Sequence, residues 1–168
     1  MKSCKVVITG AFNTGKSAFI QAASDIAVVS TEKRITDALS QVKETTTVAL
    51  DYGQTTVEGW RFHLYGTPGQ PRFEFMWDIL ARDGDALLVL VDSTDRSTLT
   101  LARQLLRRLA RRRMPYLVVA TKQDGHRPMP LPEIARALGV SSRQVVACDP
   151  RQRASTHAVL AHLARLLG

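Results

Sequence analysis

Gly10-Ala11-Phe12-Asn13-Thr14-Gly15-Lys16-Ser17 follows the spacing G-x-x-x-x-G-K-[ST], and the residues around it decide what that spacing means. Before it, Cys4-Lys5-Val6-Val7-Ile8-Thr9 reads as a buried strand, and a helix is predicted from about Lys16 to Ser24. A strand that enters a glycine-bounded turn and leaves as a helix lets backbone N–H groups fold inward around phosphate oxygens. The helix N-terminus adds a favourable partial charge. Asn13, Thr14, Gly15, Lys16 and Ser17 form the nucleotide-contacting stretch, with Lys16 reaching the β- and γ-phosphates and the Ser17 hydroxyl placed to ligate Mg²⁺. The bland reading, a glycine-rich turn with a surface lysine, is disfavoured by the strand and helix that flank it.

Working outward, short β-rich runs alternate with longer helical ones. Thr47 to Tyr52 alternates, with Val48, Leu50 and Tyr52 on the apolar side, and Glu58-Gly59 turns the chain into Trp60-Arg61-Phe62-His63-Leu64, a hairpin partner. Ala86 to Val91 and Tyr116 to Ala120 are continuously apolar, as in the middle of a parallel sheet covered by helices. Between them an amphipathic helix is predicted from about Ser97 to Arg113, carrying Leu101, Leu105 and Leu109 at i+4 and ended by Pro115. A helix from Pro132 to Leu138, a strand from Gln144 to Ala147 and a helix from about Ala154 to Leu167 complete the pattern. Residues 25–45 are polar and lack a clear period. The expectation is a three-layer α/β fold in one domain over residues 1–168, with a six-stranded, mostly parallel sheet, one antiparallel hairpin strand and helices on both faces.

Composition narrows the function classes. With 168 residues, 45% hydrophobic and 23% charged, the chain is neither disordered nor fibrous. No apolar run is long enough to cross a bilayer, and the absence of a signal peptide or lipidation box predicts a soluble, cytoplasmic domain. Cys4 and Cys148 cannot make a disulfide framework, and the four histidines are not clustered as zinc ligands. Cys4 is expected to be a buried small hydrophobe. The net charge of +8 raises the prior for an anionic partner.

A phosphate cradle does not select a base, but Thr121-Lys122-Gln123-Asp124 does, because it follows a buried parallel strand, where ligands meet a doubly wound sheet. An ionised Asp124 only accepts hydrogen bonds. It can pair with the N1–H and 2-amino group of guanine, whereas adenine presents an acceptor at N1 and no 2-amino group. The Lys122 stem is expected to lie over the base plane. Taken by itself, the tetrapeptide reads better as a loop cap with solvated charges; its place after the phosphate loop and the later strands reverses that.

With both motifs in place, the chain resembles a Ras-like small GTPase, that is, a G domain of the P-loop NTPase class, over nearly its whole length. Lys43-Glu44-Thr45-Thr46-Thr47-Val48-Ala49-Leu50-Asp51-Tyr52 looks like the end of switch one, and Leu64-Tyr65-Gly66-Thr67-Pro68-Gly69-Gln70-Pro71-Arg72-Phe73 looks like switch two. Their wording is most similar to bacterial GTPases related to the MglA polarity proteins and to the GTPase component of actinobacterial conservons. The resemblance implies a signalling switch that binds GTP or GDP with Mg²⁺ and hydrolyses GTP. It also implies roles for named residues. Thr47, with Thr46 as the alternative, ligates Mg²⁺ and senses the γ-phosphate; the Gly69 N–H meets that phosphate; Gln70 orients the attacking water; and Lys16 completes the catalytic set. Backbone N–H groups at Cys148 and Asp149 would touch the guanine O6.

Three departures qualify that implication. Gly66 stands where the family carries an Asp holding a Mg²⁺-bound water; Asp92 is a candidate substitute, against its plainer reading as a turn residue. Thr121 replaces the commoner Asn, a choice that Rho-type members share. Phe12 fills a position often occupied by a small residue, crowding the space of an arginine finger. The nearest upstream arginine, Arg34, lies 13 residues before Thr47, so no internal arginine finger is evident. Slow hydrolysis stimulated by a protein partner is therefore expected, with a pseudo-GTPase scaffold of negligible turnover as the alternative; the resemblance implies regulators of the roadblock type. Arg103, Arg107, Arg108, Arg111, Arg112 and Arg113 are six arginines in eleven residues, and Arg103, Arg107 and Arg111 share one stripe at i+4, opposite the leucines. They read first as a solvated face and second as a patch for an acidic partner or for anionic lipid at the inner face of the membrane. The lack of interleaved aromatics argues against nucleic acid.

Overall fold

In the computed structural model, the described residues are 1–36, 45–67, 82–109 and 113–168. They form β1 (Lys2–Gly10), α1 (Lys16–Ala23), β2 (Val29–Thr36), β3 (Thr45–Val57), β4 (Trp60–Gly66), β5 (Ala86–Asp92), α2 (Ser97–Leu109), β6 (Tyr116–Thr121), α3 (Leu131–Leu138), β7 (Val145–Ala147) and α4 (Arg153–Leu167). The strands make one sheet in the order β2-β3-β4-β1-β5-β6-β7. Strands β4, β1, β5, β6 and β7 are mutually parallel; β3 runs antiparallel to both β4 and β2, so it alone opposes the rest.

All six expected strands are present, and Val29–Thr36 adds a seventh, correcting the reading of residues 25–45 as aperiodic. This strand lies at the sheet edge, paired with β3. An edge strand has one neighbour, so it tolerates a polar sequence such as Ser30-Thr31-Glu32-Lys33-Arg34, which also discourages pairing with another chain.

Alternation along the central strands divides the core into two layers. Leu87, Val89 and Val91 of β5, with Val118 and Ala120 of β6, face Leu99, Ala102 and Leu105 of α2 and Ile134 and Leu138 of α3. Leu88 and Leu90, with Val6, Ile8 and Leu64, face Phe19 and Ile20 of α1 and Val159, Leu160 and Leu163 of α4. Every residue of β5 is buried, and each fully buried aliphatic side chain contributes roughly 1.5–3 kcal/mol. Cys4 is buried too, and its thiol is pushed up to about 12, chiefly by burial and secondarily by Asp85.

Helix ends follow local chemistry. Asp95 accepts from the backbone N–H and the hydroxyl of Ser97, satisfying donors at the start of α2. Gly139, at φ 69°, closes α3 by donating back to Ala135 and Arg136 carbonyls. The described part of α2 ends at Leu109, and Arg113 stands in a turn at φ 50°. The loops after β1, β5, β6 and β7 therefore gather at one end of the sheet, beyond the carboxyl ends of its parallel strands.

Candidate functional site

The phosphate loop takes its shape from backbone angles that side chains would obstruct. Gly10 leaves β1 at φ 146°, and a Cβ there would stand 2.5 Å from the Leu90 carbonyl oxygen. Asn13 and Gly15 adopt φ 65° and φ 105°, and Gly15 caps α1 with the Pro150 ring packed against it. Thr14 is fully buried and donates to the Ala11 carbonyl at 2.8 Å. Phe12 is 76% exposed, so its ring contributes little to the loop itself.

Lys16 folds back over this loop. Its Nζ donates to the Gly10 and Ala11 carbonyls at 2.9 and 2.8 Å, and burial pulls its pKa down to about 8. An ammonium held by carbonyls in a desolvated pocket is poised to gain from an anion, since a nearby phosphate favours the charged form. Ser17 behaves differently from a lone hydroxyl. It donates to a carboxylate oxygen of Asp51 at 2.9 Å.

The sheet register explains how Asp51 reaches Ser17. Asp51 of β3 lies opposite Gly66 of β4, the position that lacks the expected carboxylate. A Cβ at Gly66 would come within 2.7 Å of Ile20 Cδ1 and 3.6 Å of Asp51 Cβ, so the room at that position is already filled. Asp51 thus delivers a carboxylate from the neighbouring strand to the hydroxyl of Ser17. No local signal announces this, because the two positions meet only through strand pairing.

Asp92 does not substitute for the missing group. Its carboxylate accepts from the Thr94 N–H and hydroxyl at 2.8 and 2.6 Å and from Lys122 Nζ at 2.8 Å. Burial opposes its ionisation, yet Lys122 and Thr94 hold its pKa below the usual carboxylate value. Its work is to anchor the base loop.

That loop is built onto the phosphate loop by side chains. Thr121 is fully buried and its hydroxyl lies 2.8 Å from the Thr14 carbonyl and 3.1 Å from that of Val91. Lys122, at φ 60°, extends its stem to the Asn13 carbonyl at 3.1 Å as well as to Asp92. Gln123 donates to Ser93 Oγ and to the Met129 carbonyl, holding the loop from below. Asp124 emerges exposed at a cleft of about 240 Å³ lined by Gln123, Asp124, Ala147, Cys148, Asp149 and Ser155. A cleft of about 310 Å³ at the opposite end of the sheet, lined by Leu87, Tyr116 and α2, contains none of the motif residues.

The loop after β7 departs from expectation. The Cys148 N–H donates to the Ala120 carbonyl at 3.0 Å and the Asp149 N–H to Ser155 Oγ at 2.9 Å, so neither is directed to a base oxygen. Burial raises the Cys148 thiol, making it a loop-packing group. Arg151, which the sequence reading did not single out, bridges Asp149 and Asp124. Thr47 belongs to β3, paired with Arg34 of β2, and its side chain lies outside the described residues. Thr46 is likewise in β3, and Gly69 and Gln70 also lie outside the described residues.

Among the described residues, no cluster of three or more His, Cys, Asp or Glu side chains forms a metal site, and no helix is long and apolar enough to cross a membrane. The oxygen pair of Ser17 and Asp51 nevertheless has the hard-donor chemistry that Mg²⁺ takes, one or two protein oxygens with the remainder from phosphate and water.

Comparison with known proteins agrees with this geometry at the level of fold. The G domain of the Thermotoga maritima FeoB iron transporter superposes with a TM-score of 0.70 over 99% of both chains at 17% identity, a likeness of fold. Uncharacterized protein MJ1339 of Methanocaldococcus jannaschii is 28% identical over 121 residues, 71% of this chain and 70% of that one. ADP-ribosylation factor-related protein 1 of Bos taurus is 27% identical over 136 residues, 79% of this chain but 65% of that protein. A family profile described as "Conserved hypothetical ATP binding protein" matches residues 27–164, beginning after the phosphate loop. With most of its length inside that match, the chain belongs to this family, described as conserved hypothetical ATP binding proteins.

Proposed function

We propose that this chain is a guanine-nucleotide-binding switch, one G domain over its 168 residues, that hydrolyses GTP slowly and is regulated by protein partners. The observation that carries the reading is the tether between its two halves. Lys122 Nζ reaches the Asn13 carbonyl and Thr121 Oγ1 the Thr14 carbonyl, so the phosphate cradle and the Asp124 carboxylate are held at one fixed separation. A nucleotide spans such a pair. Its base edge must then offer two neighbouring donors to Asp124, which guanine does with N1–H and its 2-amino group and adenine, with an acceptor at N1 and no 2-amino group, does not.

In this reading Lys16 leaves the Gly10 and Ala11 carbonyls for the β- and γ-phosphates, and Ser17 and Asp51 hold Mg²⁺, Asp51 in place of the carboxylate absent at Gly66. Mg²⁺, when bound, would neutralise charge on the terminal phosphates. Thr47 and Gln70 keep their proposed roles at the γ-phosphate and the attacking water. The nearest arginine upstream of Thr47 in the sequence is Arg34, 13 residues away, too far along the chain for an internal arginine finger, which is the reason for slow turnover and for a stimulating partner. Signalling in a bacterial cytoplasm, with roadblock-type regulators, a relationship to MglA and conservon GTPases and a basic α2 face toward acidic partners or the inner membrane surface, completes the proposal.

Equilibrium titration with fluorescent GDP and ADP analogues tests it. Guanine should win, and Asp124→Asn should weaken guanine binding while admitting xanthine nucleotides. Preference for ADP, which the family description would favour, or an unchanged Asp124→Asn variant, overturns the base assignment. Single-turnover phosphate release separates slow hydrolysis from a scaffold without turnover.

A further inference from the structure

We propose that Arg151 is a specificity-determining residue of the base site, acting as an internal competitor that guanine must displace from Asp124. The inference rests on the guanine reading above. A guanidinium and the N1–H/2-amino edge of guanine are chemically alike: each presents neighbouring N–H donors, in one plane, to a carboxylate. In the structure the Asp124 carboxylate already receives such a donor, with Arg151 Nη2 at 3.1 Å from Oδ2.

The position of Arg151 is set by its own loop. Asp149 accepts from the Arg151 backbone N–H at 3.1 Å, from Nε at 3.0 Å and from Nη2 at 3.2 Å. The Asp149 backbone is fixed in turn by Ser155 Oγ, and the intervening Pro150 packs on Gly15 of the phosphate loop. Arg151 therefore has three contacts on Asp149 and one on Asp124. A base can take the single contact while Arg151 remains anchored by the other three. Both partners of that single contact are largely exposed, 66% and 70%, so the exchange requires no opening of the core.

The exchange distinguishes bases. Guanine brings its own donors and can replace Arg151 on Asp124. Adenine has an acceptor at N1 and no 2-amino group; its single 6-amino donor stands beside that acceptor, so it cannot present two neighbouring donors to the carboxylate and does not match the contact that Arg151 makes. Arg151 thus penalises guanine and leaves adenine untouched, lowering the selectivity that Asp124 alone would give. Its positive charge also attracts the polyphosphate of either nucleotide, but equally, so that contribution cancels in the ratio of the two affinities.

The test is the guanine-to-adenine affinity ratio, measured with fluorescent GDP and ADP analogues on the full chain. Arg151→Gln and Arg151→Ala are expected to raise the ratio about two- to fivefold, the scale of an exposed ion pair. Arg151→Lys, which retains charge but loses the planar fork, should raise it as well. In an Asp124→Asn background, removing Arg151 should leave the ratio unchanged. Circular dichroism and the thermal midpoint confirm folding of each variant. A ratio that stays constant or falls on removing Arg151, in a wild type that prefers guanine, overturns this proposal and spares the base assignment. A wild type that prefers adenine overturns both.

Discussion

The hydroxyl of Ser17 donates to a carboxylate oxygen of Asp51 at 2.9 Å, joining the first turn of α1 to β3 at the place where β4 carries Gly66. If Asp51 replaces the carboxylate that Gly66 cannot supply, Asp51→Asn should lower nucleotide affinity in Mg²⁺ by about ten- to a hundredfold, the usual cost of a lost metal-supporting carboxylate. Asparagine still accepts the Ser17 hydrogen bond, so folding should be preserved. In excess chelator the two proteins should bind nucleotide alike. A deficit that persists without Mg²⁺ would assign Asp51 a structural role instead.

Gly66 is constrained by packing. A Cβ there would press to 2.7 Å on Cδ1 of Ile20, a fully buried side chain. Gly66→Ala should cost about 1–3 kcal/mol in chemical denaturation, as overpacking commonly does. Combined with Ile20→Val, which removes the obstructing methyl, the penalty should shrink below the sum of the single effects. Strict additivity would show that the contact is not the cause.

Lys16 gives a pH signature. Its pKa is about 8 in the folded chain against 10.5 for an unperturbed lysine, so between those values the unfolded state binds more protons. Stability of the nucleotide-free protein should therefore rise with pH across that window from this group, by on the order of 1–3 kcal/mol. Below pH 8 both states are protonated and the burial cost is felt in full. Nucleotide affinity should move the opposite way, falling above pH 8 as the ammonium is lost. Lys16→Met should remove both slopes in parallel denaturation and binding series.

Thr121 is the joint between base loop and phosphate loop. Thr121→Val keeps the shape but leaves the Thr14 and Val91 carbonyls without its hydroxyl, an expected loss of about 1–3 kcal/mol. Thr121→Ser should recover most of it. Guanine and adenine nucleotides should weaken together, since the tether serves both.

Much of the fold was legible because its signals are local. The glycine spacing at Gly10 and Gly15, the apolar runs of β5 and β6, and the i+4 leucines of α2 each lie within a few residues, where strand and helix periods operate. Those residues also located the phosphate loop and the Thr121–Asp124 segment. The edge strand β2 was hidden, since a strand with one neighbour and a polar sequence carries no burial pattern. At Cys148 and Asp149 the backbone N–H groups looked available, but the Ala120 carbonyl and Ser155 hydroxyl claim them.

The sequence by itself determined a strand, a glycine-bounded turn and a helix, and the loop that presents the Asp124 carboxylate, because backbone freedom and hydrogen-bonding capacity belong to individual residues and short spacings. Only the tertiary structure decided which partner each acidic group takes: Asp51 with Ser17, 34 positions away, and Asp124 with Arg151, 27 positions away. Those pairings depend on which strands lie side by side and on which loops meet at the carboxyl end of the sheet. Strand order is a property of how the whole core packs, and no short stretch of chain contains it.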